Sequence, residues 1–240
     1  MGASRGLRSA AGCGYSAPMR GNGSVRLLLL DCDGVLVRSE RANLAYYNHL
    51  FRAFGLPQVP PDARETVGRL HTLSTPQVID AFFPPELRER VRQYAAGVDY
   101  APFLEELAPE PGWDEVLGRW RSRGRAAVAT NRGSSARAVL RAVGLLHLVD
   151  LVVTSRDVAR PKPHPDVLLK AIEHFGARPE EALYVGDAEL DREAARAAGV
   201  GFLGFRTVEP PFAHSPAQVE AHLLRLAAGA DLGTLPPLVL

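Results

Sequence analysis

VRLLLLDCDGV, residues 25–35, is the stretch on which the fold turns. Its first part, Val25–Asp31, is a short apolar run of the kind that suits a strand buried on both faces of a parallel sheet. Comparable runs follow at Ala126–Thr130 (AAVAT), Leu151–Thr154 (LVVT), Ala182–Gly186 (ALYVG) and Val200–Phe205 (VGFLGF). Helical patterns lie between them at Trp113–Arg123, Ser134–Val143, Asp166–Phe175 and Leu190–Ala198. Several stop at a glycine, as Gly124, Gly144, Gly176 and Gly199 show. Strand and helix alternate, which predicts an α/β core built on a parallel sheet.

Residues 39–108 break that rhythm. Glu40–Phe54 is an amphipathic pattern ending at Gly55, and Thr75–Phe83, Pro85–Tyr94 and Ala101–Leu107 also read as helical, with no convincing strand among them. A small α-helical cap inserted over 39–108 is therefore expected, with 25–38 and 109–240 forming the core and Pro109 and Pro111 marking the return. Residues 1–24 carry three arginines and no acid, and lack the apolar stretch of a secretory signal, so they read as a disordered tail.

Composition excludes several classes. Hydrophobic residues at 46% and charged residues at 23% are ordinary globular usage, which excludes global disorder. Lys+Arg 28 against Asp+Glu 27 leaves a net charge of +1, giving no electrostatic case for a nucleic-acid or membrane-surface partner. No apolar run approaches the roughly 18–20 residues of a membrane span. Two cysteines, Cys13 and Cys32, make no disulfide framework, and a reducing, cytoplasmic compartment is expected.

In open parallel sheets, ligands bind outside the carboxyl ends of the strands. The first strand ends in Asp31-Cys32-Asp33-Gly34, the second in Thr130-Asn131, and the fourth in Gly186-Asp187 with Asp191 four residues on; Arg160-Pro161-Lys162-Pro163 follows the third. Two carboxylates ~4 Å apart repel by about 4 kcal/mol at an effective dielectric near 20, so protons or a cation must compensate. All-oxygen ligands favour a hard ion, and Mg²⁺ is usually held by one or two carboxylates plus substrate phosphate. Lys162 and Lys170 are the only lysines, so a lysine at that rim is a marked choice of fixed charge. The Thr130 hydroxyl and nearby backbone N–H groups can hold an oxyanion. Such a rim would bind a phosphoryl group beside a metal and a carboxylate nucleophile.

DCDGV at 31–35, ATN at 129–131, RPKPHPD at 160–166 and GDAELD at 186–191, each at an expected strand end, resemble the four ordered motifs of the haloacid dehalogenase-like hydrolase superfamily. Within it the chain is similar to the phosphoglycolate phosphatase and beta-phosphoglucomutase-like group, whose helical cap follows the first motif. The resemblance implies a Rossmann-like parallel-sheet core with that cap. It also implies roles. Asp31 would be the nucleophile, and Asp33 the general acid and then base. Mg²⁺ would be held by the Asp31 side chain, the Asp33 main-chain carbonyl and Asp187. Asp191 would orient metal waters. Thr130 and Asn131 would bind phosphate oxygens, and Lys162 would pair with phosphate and nucleophile. The plainer readings are a helix N-cap for Asp191, a structural His164 and a small buried Cys32.

Three discriminations follow. Haloacid dehalogenases do not keep the second Asp of the first motif, which here is Asp33. Phosphonoacetaldehyde hydrolases need a cap lysine, and 39–108 contain none. Beta-phosphoglucomutases carry a His where this chain has Asn43. In Val67–Thr72, Arg69 or His71 is expected to face the leaving group, unless the segment is an ordinary solvated helix end. Arg38 would either attract a substrate carboxylate or pair with Glu40. The expectation is a Mg²⁺-dependent phosphatase of a small phosphorylated metabolite, with a phosphomutase or a non-catalytic binding protein as alternatives.

Overall fold

The computed structural model describes residues 25–208 and 210–234, so the expected tail over 1–24 lies outside the described residues. The strands are β1 (Leu27–Leu30), β2 (Val37–Arg38), β3 (Ala108–Pro109), β4 (Arg125–Ala129), β5 (Leu151–Val153), β6 (Ala182–Gly186), β7 (Gly201–Phe205) and β8 (Phe212–Ala213). The helices are α1 (Glu40–Ala53), α2 (Arg64–Thr72), α3 (Thr75–Phe82), α4 (Pro85–Gly97), α5 (Trp113–Trp120), α6 (Ala136–Ala142), α7 (Asp166–Phe175), α8 (Glu189–Ala198) and α9 (Pro216–Ala227).

Six strands form one sheet in the order β5-β4-β1-β6-β7-β8, all neighbours parallel. The four leucines of β1 are completely or almost completely buried because successive side chains enter opposite layers. Leu28 and Leu30 pack with Trp113, Leu117, Val139, Leu140, Val219 and Leu223 of α5, α6 and α9. Leu27 and Leu29 pack with Val167, Leu168, Ala171, Ala194 and Ala195 of α7 and α8. Covering both faces is what removes polar residues from this strand. The chain leaves β1 toward β4 and β5 on one side and returns to β6 and β7 on the other, so the crevice at the carboxyl end of β1 is the sheet's switch point.

Helices α1–α4 surround an apolar cluster of their own, centred on Tyr46, Tyr47, Leu50, Phe51, Leu70, Val78, Ile79 and Phe83. The chain enters this helical layer through β2 and leaves it through β3, and the two pair antiparallel, Val37 beside Pro109 and Arg38 beside Ala108. Several details differ from the sequence expectation. Ala101–Glu106 winds as a 3-10 helix, and Arg64–Thr72 forms a helix where only a loop or helix end is expected. The strand β8 and the helix α9 are not anticipated, although Ser215-Pro216 is a regular helix start, with the Ser215 side chain accepting from the Gln218 N–H. Among the described residues no helix is long and apolar enough to cross a membrane.

Trp113 opens α5 and ties it to the loop beyond β1. Its buried indole Nε1 donates to the Val35 carbonyl at 2.7 Å, and its ring sits 6.0 Å from that of Phe205. Trp113→Phe keeps an aromatic but leaves that carbonyl unpaired. It is expected to lower the free energy of unfolding by about 1–3 kcal/mol, read by urea denaturation.

Candidate active site

Asp31 directly follows β1, and its N–H donates to the Val185 carbonyl at 2.9 Å, carrying the sheet pairing one residue further. The chain then turns tightly, with the N–H groups of Leu36 and Val37 both reaching the Cys32 carbonyl at 3.0 Å. This turn needs Gly34 for two reasons. Its φ is +77°, and a Cβ there would lie 1.8 Å from Asp187 Oδ2. The first-strand loop therefore passes directly against the carboxylate that β6 delivers.

Asp31, Asp187 and Asp191 bring carboxylate oxygens within 4.8 Å of one another. Lys162, only 2% exposed, offsets part of this charge: Nζ lies 2.9 Å from Asp31 Oδ1, 2.6 Å from Asp191 Oδ1 and 2.9 Å from the Tyr184 hydroxyl. Asp191 is fully engaged, because its other oxygen accepts from the N–H groups of Asp187 at 3.1 Å and Ala188 at 3.0 Å. It thus combines a helix-start role with that of holding Lys162. Burial, with Asp191 and Asp33 adding to it against Lys162, pushes Asp31 up to about 7. Burial and the neighbouring Asp191 and Asp31 likewise push Asp187 well above the ordinary carboxylate range. Burial opposes the charge on Lys162, but Asp191 and Asp31 outweigh it and raise its pKa. An all-oxygen group of this kind could hold a hard divalent cation.

Thr130 directly follows β4, buried, with its Oγ1 accepting from the Arg132 N–H at 3.0 Å. Asn131 uses its side chain elsewhere than expected. Oδ1 accepts from the Lys162 N–H at 2.8 Å and Nδ2 donates to the Lys162 carbonyl at 3.1 Å. The amide therefore holds the Lys162 loop in place, and only the main chain of Asn131 is free to face a phosphate.

Asp33 is held by a residue that sequence reading passes over. Arg132 grips it bidentately, Nε to Oδ2 at 2.9 Å and Nη2 to Oδ1 at 2.6 Å, and Ser39 also donates to Oδ1. Burial alone would raise Asp33, but Arg132 draws it down to about 2. The guanidinium lies over the Tyr100 ring at 5.0 Å, donates through Nη1 to Ser135 at 3.1 Å and through Nη2 to Asn43 Oδ1 at 2.5 Å. Asn43 also accepts from the Tyr100 hydroxyl at 3.1 Å and meets His71 Nδ1 at 3.1 Å. The signal for Arg132 is its position alone, one residue beyond Thr130-Asn131 at a strand end.

Of the expected helical-layer residues, His71 lines the cavity over Asp31 and Asp33, whereas Arg69 does not. Residues two apart on a helix point about 200° apart. Arg69 accordingly faces outward over the Phe82 ring at 4.8 Å. Arg38 pairs with neither substrate-facing groups nor Glu40. The β2–β3 pairing sets it beside buried Glu110, which it meets at 2.8 Å, and Arg206 meets the same carboxylate at 2.5 Å. Cys32 is buried and its thiol pushed up by burial, so it packs as a small apolar residue; Cys13 lies outside the described residues.

A sequence profile described as haloacid dehalogenase-like hydrolase matches residues 28–205. The chain is 30% identical to a phosphoglycolate phosphatase of Nitrosococcus oceani over 72% of this chain and 80% of that one. It is 29% identical to the fructose-1-phosphate phosphatase of Escherichia coli over 75% of this chain and 95% of that one. A crystal structure of a HAD-superfamily hydrolase, subfamily IA, from Geobacter sulfurreducens is similar with a TM-score of 0.71 and 34% identity. It covers 82% of this chain and 98% of its own.

The contact between Gly34 and Asp187 can be weighed by two substitutions. Gly55 has a φ of +70° but open space where a Cβ would stand. Gly55→Ala is expected to cost about 1–2 kcal/mol from backbone strain alone. Gly34→Ala is expected to cost more, the excess reporting the collision with Asp187. Urea denaturation of both variants checks this, and equal losses would mean that the Asp187 carboxylate yields freely.

Proposed function

The chain belongs to the haloacid dehalogenase-like hydrolases and is a phosphoric monoester hydrolase, and we propose that it releases phosphate from a small phosphorylated metabolite, of the phosphoglycolate or sugar-phosphate kind, through an aspartyl-phosphate on Asp31. One observation carries this reading: Asp31 and Asp33 after β1, Thr130 after β4, Lys162 on the loop before α7 and Asp187 after β6 converge at the switch point. The phosphatase relatives support the same substrate class.

In this mechanism an Asp31 oxygen attacks phosphorus as the bond to the ester oxygen breaks. Asp33 gives the departing alkoxide a proton, then takes one from the water that attacks the acyl phosphate, which restores Asp31. The Thr130 hydroxyl holds a non-bridging oxygen, and Lys162 offsets charge on nucleophile and phosphate together. Asp31, Asp187 and the Asp33 carbonyl would hold Mg²⁺, which when bound neutralises phosphate charge. The carboxylate cluster fits such an ion.

Asp31→Asn is nearly isosteric. It is expected to abolish phosphate release while thermal unfolding stays close to that of the parent. Chelation is expected to remove activity and Mg²⁺ to restore it, with Asp187→Ala weakening Mg²⁺ binding in calorimetry. Full turnover by Asp31→Asn would overturn the mechanism, and retention of the phosphoryl group on a sugar product would point to a mutase.

Asp33 is tested through the leaving group. An alkoxide needs a proton in the transition state, an effect typically worth about 10²–10⁴-fold, whereas p-nitrophenolate needs it much less. Asp33→Asn is therefore expected to slow alkyl phosphates by that factor. With p-nitrophenyl phosphate it is expected to leave a burst followed by a stall, because hydrolysis of the phosphoenzyme still needs a base. Rapid-mixing measurement of burst and steady state decides the point.

A further inference from the structure

We infer that Arg132 is a specificity-determining residue that recognises a carboxylate on the leaving group, so that the preferred substrate is the phosphate ester of a small hydroxy acid. This rests on the phosphatase reading above and narrows it.

The cavity over Asp31 and Asp33 amounts to about 70 Å³. Away from the aspartates and Thr130, its polar lining is mostly neutral: Asn43, Tyr46, Tyr47, Thr75, Tyr100 and Ser135. Among the described residues that line it, Arg132 carries the only permanent positive charge. Its guanidinium reaches Asp33, two residues beyond Asp31 in the same turn, so an anion it holds lies on the leaving-group side of a phosphoryl group carried by Asp31.

What Arg132 does in this state shows what it can take. It presents the paired N–H groups of its planar guanidinium to one carboxylate, that of Asp33, and this fork fits one carboxylate at a time. Both Asp33 oxygens are occupied, Oδ2 by Arg132 and Oδ1 by Arg132 and Ser39. This fork fixes the orientation of Asp33, so Asp33 turns an oxygen toward the ester bond most readily when Arg132 has another anion to hold. A buried guanidinium stripped of its carboxylate is strongly unfavourable, and a neutral hydroxyl does not replace the lost charge pair. A substrate carboxylate does. It accepts the same fork and leaves Asp33 free for the bridging oxygen. The Tyr100 ring under the guanidinium and Ser135 beside it keep the fork in the cavity through the exchange.

Arg38, the other charge considered for a substrate carboxylate, pairs with Glu110 and does not line this cavity; it faces the neighbouring one beside Gly34 and Asp187.

The test compares 2-phosphoglycolate with 2-hydroxyethyl phosphate, of similar size but without the carboxylate, and with p-nitrophenyl phosphate. The parent enzyme is expected to favour phosphoglycolate over the hydroxyethyl ester in kcat/KM by roughly 10- to 100-fold, the range of a hydrogen-bonded charge contact. Arg132→Gln is expected to erase that preference, with KM rising far more for phosphoglycolate than for the hydroxyethyl ester. Arg132→Lys, which keeps the charge without the fork, is expected to restore the preference in part. A parent enzyme that hydrolyses both alkyl esters with similar kcat/KM overturns the inference without any variant. So does an Arg132→Gln that loses both equally. Failure of the parent to hydrolyse any of the three esters, p-nitrophenyl phosphate included, would instead overturn the phosphatase reading, and the inference with it.

Discussion

Asp31, Asp187 and Asp191 bring ligand oxygens within 4.8 Å of one another in a largely buried crevice, and their mutual repulsion must be offset for the crevice to exist. Much of the neighbouring architecture serves that end. Lys162 sits between Asp31 and Asp191, and Asn131 and Tyr184 fix the lysine from either side. A second cation, Arg132, does the same for Asp33. Burial first, and then the neighbouring carboxylates, raise Asp31 and Asp187 in spite of Lys162, so a further cation beside them would be stabilising.

The two cations differ in what they permit. The Lys162 ammonium is held by core residues of β6 and α8, on the loop before α7, and only its main-chain carbonyl meets the helical layer, accepting from Gln77 Nε2 of α3 at 3.4 Å. Arg132 instead joins layers: its partners Asp33 and Ser135 belong to the sheet's rim, whereas Asn43 and Tyr100 belong to the helical layer. The chain Asp33–Arg132–Asn43–His71 is a continuous polar path across the boundary between them. Any movement of the helical layer changes the surroundings of Asp33, so the position of that layer and the readiness of the acid are coupled through shared hydrogen bonds.

Much of this was legible in the sequence because it rests on local pattern. A strand buried on both faces cannot hide its apolar run, and β1, β4, β6 and β7 fall within a residue or so of their expected ends. That Asp31, Asp33, Thr130 and Asp187 gather on one rim was legible for a related reason: the carboxyl end of a parallel strand is a predictable place. What escaped depends on distance in the chain. Arg132 meets Asp33 across 99 residues, and Arg38 meets Glu110 across 72, so neither pairing is written in any local spacing. The amide of Asn131 has the right chemistry for a phosphate, and only the approach of the Lys162 backbone reveals that it is spent. Helix α2 is short and mostly polar, with Leu70 its one buried residue, so its apolar periodicity is faint.

The pairing of β2 with β3 sets the entry and exit of the helical layer side by side, Val37 against Pro109. For the core, an excursion whose ends already touch is equivalent to a short turn. Its closing entropy is met by contacts the core needs in any case. The helical layer has its own apolar centre, so it can gain or lose order as a unit without unravelling the strands on either side. Such a segment is exchangeable in principle. Different helices grafted between Arg38 and Ala108 would present new side chains over the same Asp31, Lys162 and Asp187, but only helices that again supplied partners such as Ser39, Asn43 and Tyr100 would leave Asp33 and Arg132 held as they are.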